Sequence, residues 1–235
     1  MPPRKTIFMA SATLTALTAA VPAGFERSGP AGGQLRPDSV KELAAGKLLV
    51  AARGLPDPNF AEAVILLAEH SAESSMGLII NRRTDVSLAR LFPKLKQAQG
   101  QTSELFVGGP VSPDGVLALL RSAAPQANSR RVLDDVYMIA TREALEESIA
   151  ARVEQSRFRV YLGYAGWGPG QLERETTQGA WHVFRADTAV VFDPDPDTLW
   201  QRQIRRTEER MATGFNPTQP VPTRPNAAEP SLTLP

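Results

Sequence analysis

A chain of 235 residues with 42% hydrophobic and 22% charged content fits one medium globular domain with tails. Its 26 basic and 25 acidic residues leave a net charge of +1, which excludes a chain-wide pull toward nucleic acid or an anionic membrane. There is no cysteine, so thiol nucleophiles, disulfides, iron–sulfur clusters and thiolate zinc sites are excluded as well.

Arg4 and Lys5 precede an uncharged Ala/Thr-rich run, and Val21-Pro22-Ala23 sets small residues at the spacing a signal peptidase reads. Residues 1–23 are therefore expected to be either a cleaved signal peptide or a disordered extension. The threonines make this run too weakly apolar for a stable membrane span. Residues 24–39 read as a Gly/Pro-rich linker and 40–211 as the folded unit. The prolines beyond residue 214 make 212–235 an extended, disordered tail.

Within the folded unit, short apolar runs predict buried strands over 48–52, 63–68 and 77–81. Ser87 and Pro93 bracket a short helix over 87–92. Further strands are expected over 105–107, 115–120 and 136–140. Thr141 is placed to cap a helix over 142–153, with Leu145, Ile149 and Val153 on one face. A strand over 158–164 then feeds a glycine-rich turn, followed by a helix over 169–178 and strands over 181–185 and 188–192. Asp195 as N-cap and Pro196 at the first helical position open a last helix, with Trp200 and Ile204 on its buried face. Many strands come early without regular helix alternation, which favours an α+β fold over a doubly wound parallel sheet.

The glycine-rich turn places Gly163, Gly166, Gly168 and Gly170 around Tyr164 and Trp167. A strand end leading into a helix head is a place where anions bind. The spacing nevertheless matches neither the dinucleotide fingerprint nor a P-loop, and Glu173 and Glu175 stand in the first turns of the following helix. No cofactor is indicated. Glu69-His70, with Asp135, offers a carboxylate–imidazole set for hydrolysis if the three converge. Asp193, Asp195 and Asp197 lack the glycine and the glutamate of a calcium loop. Arg202, Arg205, Arg206 and Arg210 share the last helix, but Glu208 and Glu209 interrupt them, so a solvated face is favoured over a nucleic-acid interface.

Several segments together resemble the AlgH/YqgE family of bacterial proteins. They are Gly46-Lys47-Leu48-Leu49-Val50-Ala51, Asp57-Pro58-Asn59-Phe60, the run from Val64 to His70, Met76 to Arg82, Val107-Gly108-Gly109-Pro110-Val111, Leu162 to Glu173, and Phe192-Asp193 with Trp200 downstream. The matches are ordered and span nearly all of 46–207. The resemblance implies a single α+β domain whose branched mixed sheet forms a pseudo-barrel flanked by helices. Members are named as transcriptional regulators without established catalytic residues, which implies a non-enzymatic regulatory domain that binds a small ligand or protein partner. Matching positions Asn81, Arg82, Gly108, Gly109, Gly166, Trp167 and Gln171 are the candidate ligand contacts. The site is expected where Gly108-Gly109-Pro110 and the turn over 166–171 present backbone amides. Family members look cytoplasmic, whereas the N-terminus of this chain has an export-like pattern. Ala68 stands where the family often has cysteine.

Overall fold

A computed structural model describes residues 43–212, apart from 100, 102 and 103. The readings of 1–23, of 24–39 and of the tail beyond 212 lie outside the described residues. The strands are β1 (Lys47–Ala51), β2 (Val64–His70), β3 (Ser75–Ile79), β4 (Arg83–Ser87), β5 (Glu104–Val107), β6 (Val111–Arg121), β7 (Ser129–Leu133), β8 (Val136–Ile139), β9 (Phe158–Trp167) and β10 (Trp181–Arg185). The helices are α1 (Leu88–Leu91), α2 (Arg142–Ala150), α3 (Gln171–Thr177), α4 (Thr188–Val191) and α5 (Leu199–Ala212), with 3₁₀ turns at Lys96–Ala98 and Pro196–Thr198.

The strands form one mixed sheet, ordered β10-β1-β2-β3-β9-β6-β8-β7, with β5 added beside β9 and β4 beside β5. The main path is antiparallel and curls into a half-barrel, so the α+β expectation holds. The branch lies on β9. Its end, Ala165–Trp167, pairs antiparallel with β3, while Val160–Leu162 pairs parallel with β5 on the same edge. Its opposite edge carries β6.

Three glycines make this branch sterically feasible. Gly163 turns with φ +67° at the point where β9 changes partner, and the backbone of Gly108-Gly109 lies directly against it. A Cβ on Gly108 would sit 2.2 Å from the Gly163 carbonyl oxygen, and one on Gly109 2.2 Å from the Tyr164 carbonyl carbon. Backbone cannot yield to such contacts as a side chain can, so only glycine fits.

Two apolar clusters hold the sheet. In the larger one, Val64, Ile65, Leu66 and Leu67 of β2 are completely buried, each contributing about 1.5–3 kcal/mol by transfer from water. α5 closes this side: Trp200 and Ile204 are buried, and the Trp200 indole donates to the Ala51 carbonyl at 2.8 Å. In the smaller cluster, Leu145 and Ile149 of α2 pack with Phe158 and Val160 of β9.

Four elements differ from the expectations. α2 ends at Ala150 because Arg152 takes φ +51°, and Val153 packs against the smaller core from outside the helix. Residues 188–191 form a helix instead of a strand, since Asp187 caps it by accepting from the Val190 N–H at 2.8 Å. β4 and β7 carry no apolar run and escaped the periodicity. Asp195 and Pro196 do open the last helix, through the intervening 3₁₀ turn.

Candidate binding site

Four of the seven expected contacts gather around Phe60. Asn81 accepts from the Val64 N–H at 2.8 Å and donates to the Glu62 carbonyl at 3.0 Å. Arg82 donates to the carbonyls of Asn59 and Ala61 at 2.8 and 3.1 Å. Together they fasten the loop that carries Phe60 onto Trp167, which it stacks at 6.2 Å, and Trp181, which it meets edge-on at 5.8 Å. Both indole N–H groups donate to one oxygen of Glu175, at 2.9 and 2.8 Å. Gln171 donates to the other Glu175 oxygen and accepts from the Gly168 N–H. Gly166 pairs with Met76 in the β3–β9 ladder. Gly108 donates to the Leu162 carbonyl at 2.7 Å and is buried with Gly109 at the branch. The two glycine segments are neighbours across β9, and the amides of Gly108 and Gly168 are spent inside the fold.

The imidazole of His70 meets different partners from those the hydrolytic set requires. Its Nδ1 shares a 2.8 Å hydrogen bond with the Ser75 hydroxyl across the β2–β3 pair, and its Nε2 lies 3.8 Å from Glu173. Ser75 is only 6% exposed. Glu69 pairs with Arg130. Asp135 accepts from Thr188 at 2.5 Å and from Arg121 at 2.7 Å; the Thr188 hydroxyl, then Arg121, hold its carboxyl below the usual range against the effect of burial. No ion pair or hydrogen bond joins Asp135 to His70 or Glu69 among the described residues. No group of three or more His, Asp or Glu side chains that could hold a metal is found among them either.

The arginines of α5 are partly neutralised. Arg202 bridges to Asp193 at 2.8 Å; Glu208 is turned outward to Arg53, whose guanidinium lies over the Trp200 ring. The side chain of Arg210 lies outside the described residues.

Arg159 belongs to none of the motifs drawn from the sequence. This charged residue is the second of β9, between Phe158 and Val160, and is only 4% exposed. Its guanidinium donates from Nη1 to the Val191 carbonyl at 3.1 Å and from Nη2 to the Asp193 carbonyl. Phe106 and Phe192 approach it at 4.9 and 5.8 Å from their ring centroids. Burial, opposed in part by Tyr161 and Asp193, lowers its pKa. The Nε of Arg159 and the hydroxyl of fully buried Tyr161, two positions along the same face, are both sealed from solvent and find no well-aligned partner among the described residues; the two groups lie beside one another, and each stabilises the other's charged form. Burial pushes that phenol up to about 12. The signal available in the sequence was an arginine inside an otherwise apolar strand.

Arg159 borders a cavity of about 230 Å³. Phe106, Phe192, Pro194 and Pro196 give it apolar walls, and Gln155 and Ser156 add polar groups. Arg83 and Glu104 also line it, paired at 3.1 Å, with Arg83 further engaged by Asp197. A larger cavity, about 560 Å³, lies beside α1 and α2, where its charged pair Arg142 and Glu146 satisfy each other at 2.7 Å.

A single α+β domain, a curled and branched sheet with a glycine crossing at its branch, is the class of protein these elements define. The AlgH-like family profile matches residues 48–212, and the chain belongs to that family. It is 37% identical over 172 residues to a UPF0301 protein of Streptomyces coelicolor, covering 71% of this chain and 88% of that one. A crystal structure of a Corynebacterium diphtheriae protein superposes with a TM-score of 0.60 at 29% identity, over 70% of this chain and 87% of that chain. The solution structure of the AlgH protein from Pseudomonas aeruginosa gives a TM-score of 0.56 at 30% identity, over 81% and 94%. No helix of the described residues is long and apolar enough to cross a membrane.

Proposed function

We propose that the protein is a regulatory domain that binds a small ligand, and that the ligand occupies the cavity beside Arg159. The observation that carries this reading is a guanidinium, only 4% exposed, in the wall of a cavity with apolar sides. A cation set among apolar walls favours a guest that carries an acceptor over a purely apolar one. Asn81, Arg82, Gly108, Gly109, Gly166, Trp167 and Gln171 are assigned to building the scaffold around the site, because their polar groups or backbones already serve the fold. The hydrolytic reading of Glu69 and His70 is less well supported, since each carboxylate of the set has another partner. The same holds for DNA binding through α5, whose Arg202 is paired.

The test is thermal melting of the full chain with acetate, benzoate, benzamide and inorganic phosphate as probes. Ser156→Trp, at an exposed lining position, serves as the occluding control. A probe at a hundred times its Kd stabilises by about 2.7 kcal/mol, a shift of several degrees. The reading expects at least one probe to raise the melting temperature of the parent and to lose that effect in Ser156→Trp. It fails if none does, or if the variant responds equally.

A further inference from the structure

We infer that the groove between α1 and α2 is a second binding site, and that its occupant is a medium-chain alkyl carboxylate with its chain on the apolar wall and its head on Lys94. The site is separate from the Arg159 cavity and stands without the reading given to that cavity.

The groove, about 560 Å³, falls in the size range of small-molecule sites. Its wall is apolar: Leu91 ends α1, Phe92 and Leu95 follow in the loop, and Val116 comes from β6. Each of the four is half-buried, packing part of its surface on the smaller core cluster and leaving the rest to the groove. Segments remote in sequence thus share one apolar surface, the kind that marks a contact site. The loop is also preformed. The Phe92 N–H donates to the Leu88 carbonyl at 2.8 Å and the Leu95 N–H to the Phe92 carbonyl at 3.1 Å, so the wall needs little further ordering when a ligand arrives.

Charge sets the head group and its direction. Lys94 is exposed and lines the groove, and no acidic side chain engages it among the described residues. Arg90 and Lys96 beside it are exposed as well, and no Asp or Glu occurs from Val86 to Ser103. Across the groove, Arg142 and Glu146 satisfy each other at 2.7 Å, and Glu143 and Glu147 stand exposed on the same helix outside the lining. A single negative charge is therefore drawn to the Lys94 rim and turned away from α2. A second negative charge would face the glutamates.

The wall selects the body of the ligand. Lys94 and the paired Arg142 and Glu146 are the polar side chains that line the groove. A body bearing hydroxyls or amides finds no uncommitted side-chain partner there and gives up hydrogen bonds to water. A hydrocarbon chain gives up none, and gains with each methylene it buries.

The experiment is titration calorimetry of the full chain with octanoate, decanoate and dodecanoate, each below its aggregation concentration, with ¹H–¹⁵N spectra to locate the site. Affinity is expected to rise about two- to fourfold per methylene, and the amides of Leu91, Phe92, Leu95 and Val116 to shift. Lys94→Met, at an exposed position that leaves the fold intact, is expected to weaken decanoate about two- to fivefold and to leave the neutral decanol unchanged. An affinity independent of chain length, or a decanoate affinity unchanged in Lys94→Met, overturns the alkyl carboxylate assignment. Shifts centred on Gln155 and Ser156 would place the acids in the Arg159 cavity, which overturns the second site and leaves the earlier reading intact. Groove shifts on concentrating the free chain, without a response to the acids, would assign the groove to a second copy and overturn the inference. Silence throughout overturns it as well.

Discussion

Tyr161→Phe is expected to stabilise the protein. Tyr161 is fully buried, and its hydroxyl has no hydrogen-bond partner among the described residues. Taking a hydroxyl from water without replacing its hydrogen bonds costs about 1–3 kcal/mol. Its aromatic contact with Phe106, at 5.4 Å between centroids, needs only the ring and survives the substitution. Against this stands the loss of a favourable dipole beside Arg159, the group that pulls the phenol pKa back down. A neutral hydroxyl lacking aligned geometry contributes less than a formed hydrogen bond, so less than about 1 kcal/mol. The desolvation relief therefore wins, and the net gain is about 1 kcal/mol, or about 2–4 °C in melting temperature for a domain of this size. Urea unfolding at constant m-value and calorimetry measure it independently. A loss of stability in both would mean that the hydroxyl is satisfied, by Arg159 or by water.

Glu175→Ala leaves the buried indole N–H groups of Trp167 and Trp181 without their shared acceptor. A loss of about 3–5 kcal/mol is expected from two charge-assisted hydrogen bonds, with Glu175→Gln losing less because one acceptor oxygen remains. Urea unfolding of the pair measures this, and equal losses would contradict the role given to the acceptor. Acid should weaken the fold in two stages. Burial lowers the His182 pKa against the opposing pull of Glu208, so its protonation favours the unfolded chain as pH falls below the unfolded value of about 6.5. Asp135 and Asp197, lowered chiefly by Thr188 and Arg83, contribute stability above about pH 3.9 that disappears as pH falls through their lower folded values. Unfolding at pH 7.5, 5.5 and 3.5 should show the first stage shrinking in His182→Gln; an unchanged loss between 7.5 and 5.5 would assign that stage to other groups.

The elements legible in the sequence are those whose burial is written locally. β1, β2 and β3 are short apolar runs, and the α5 face follows from Trp200 and Ile204 behind the Asp195-Pro196 start. Edge strands need no apolar face, so β4 (Arg-Thr-Asp-Val-Ser) and β7 (Ser-Arg-Arg-Val-Leu) left no periodic signal. α4 was misread because four residues, Thr-Ala-Val-Val, carry β-branched propensity, while its conformation is decided by the Asp187 cap. The branch on β9 is a property of three chain segments at once. Gly108 and Gly109 signalled a close approach but gave no hint that the approaching group is Gly163 of the same fold rather than a ligand. The candidate cavity was harder still. Arg159, Phe106, Phe192 and Arg83 come from β9, β5, the end of α4 and β4, and no spacing in the sequence relates them.

The residues that mark the family and those that line the Arg159 cavity are therefore largely different, with Phe192 common to both. Several of the segments that mark the family solve one geometric problem, the division of the β9 edge between β3 and β5. Gly108, Gly109 and Gly163 permit the crossing, while Phe60, Trp167, Trp181 and Glu175 close the fold beside its β3 arm. None of these side chains lines the Arg159 cavity. A chain can thus keep every marker of the fold and still change what sits there, simply by exchanging the residue at position 159. An apolar residue at that position would leave the branch untouched and take the cation out of the cavity wall. Sharing the scaffold accordingly predicts the sheet and its glycine crossing; a shared ligand requires the buried arginine as well.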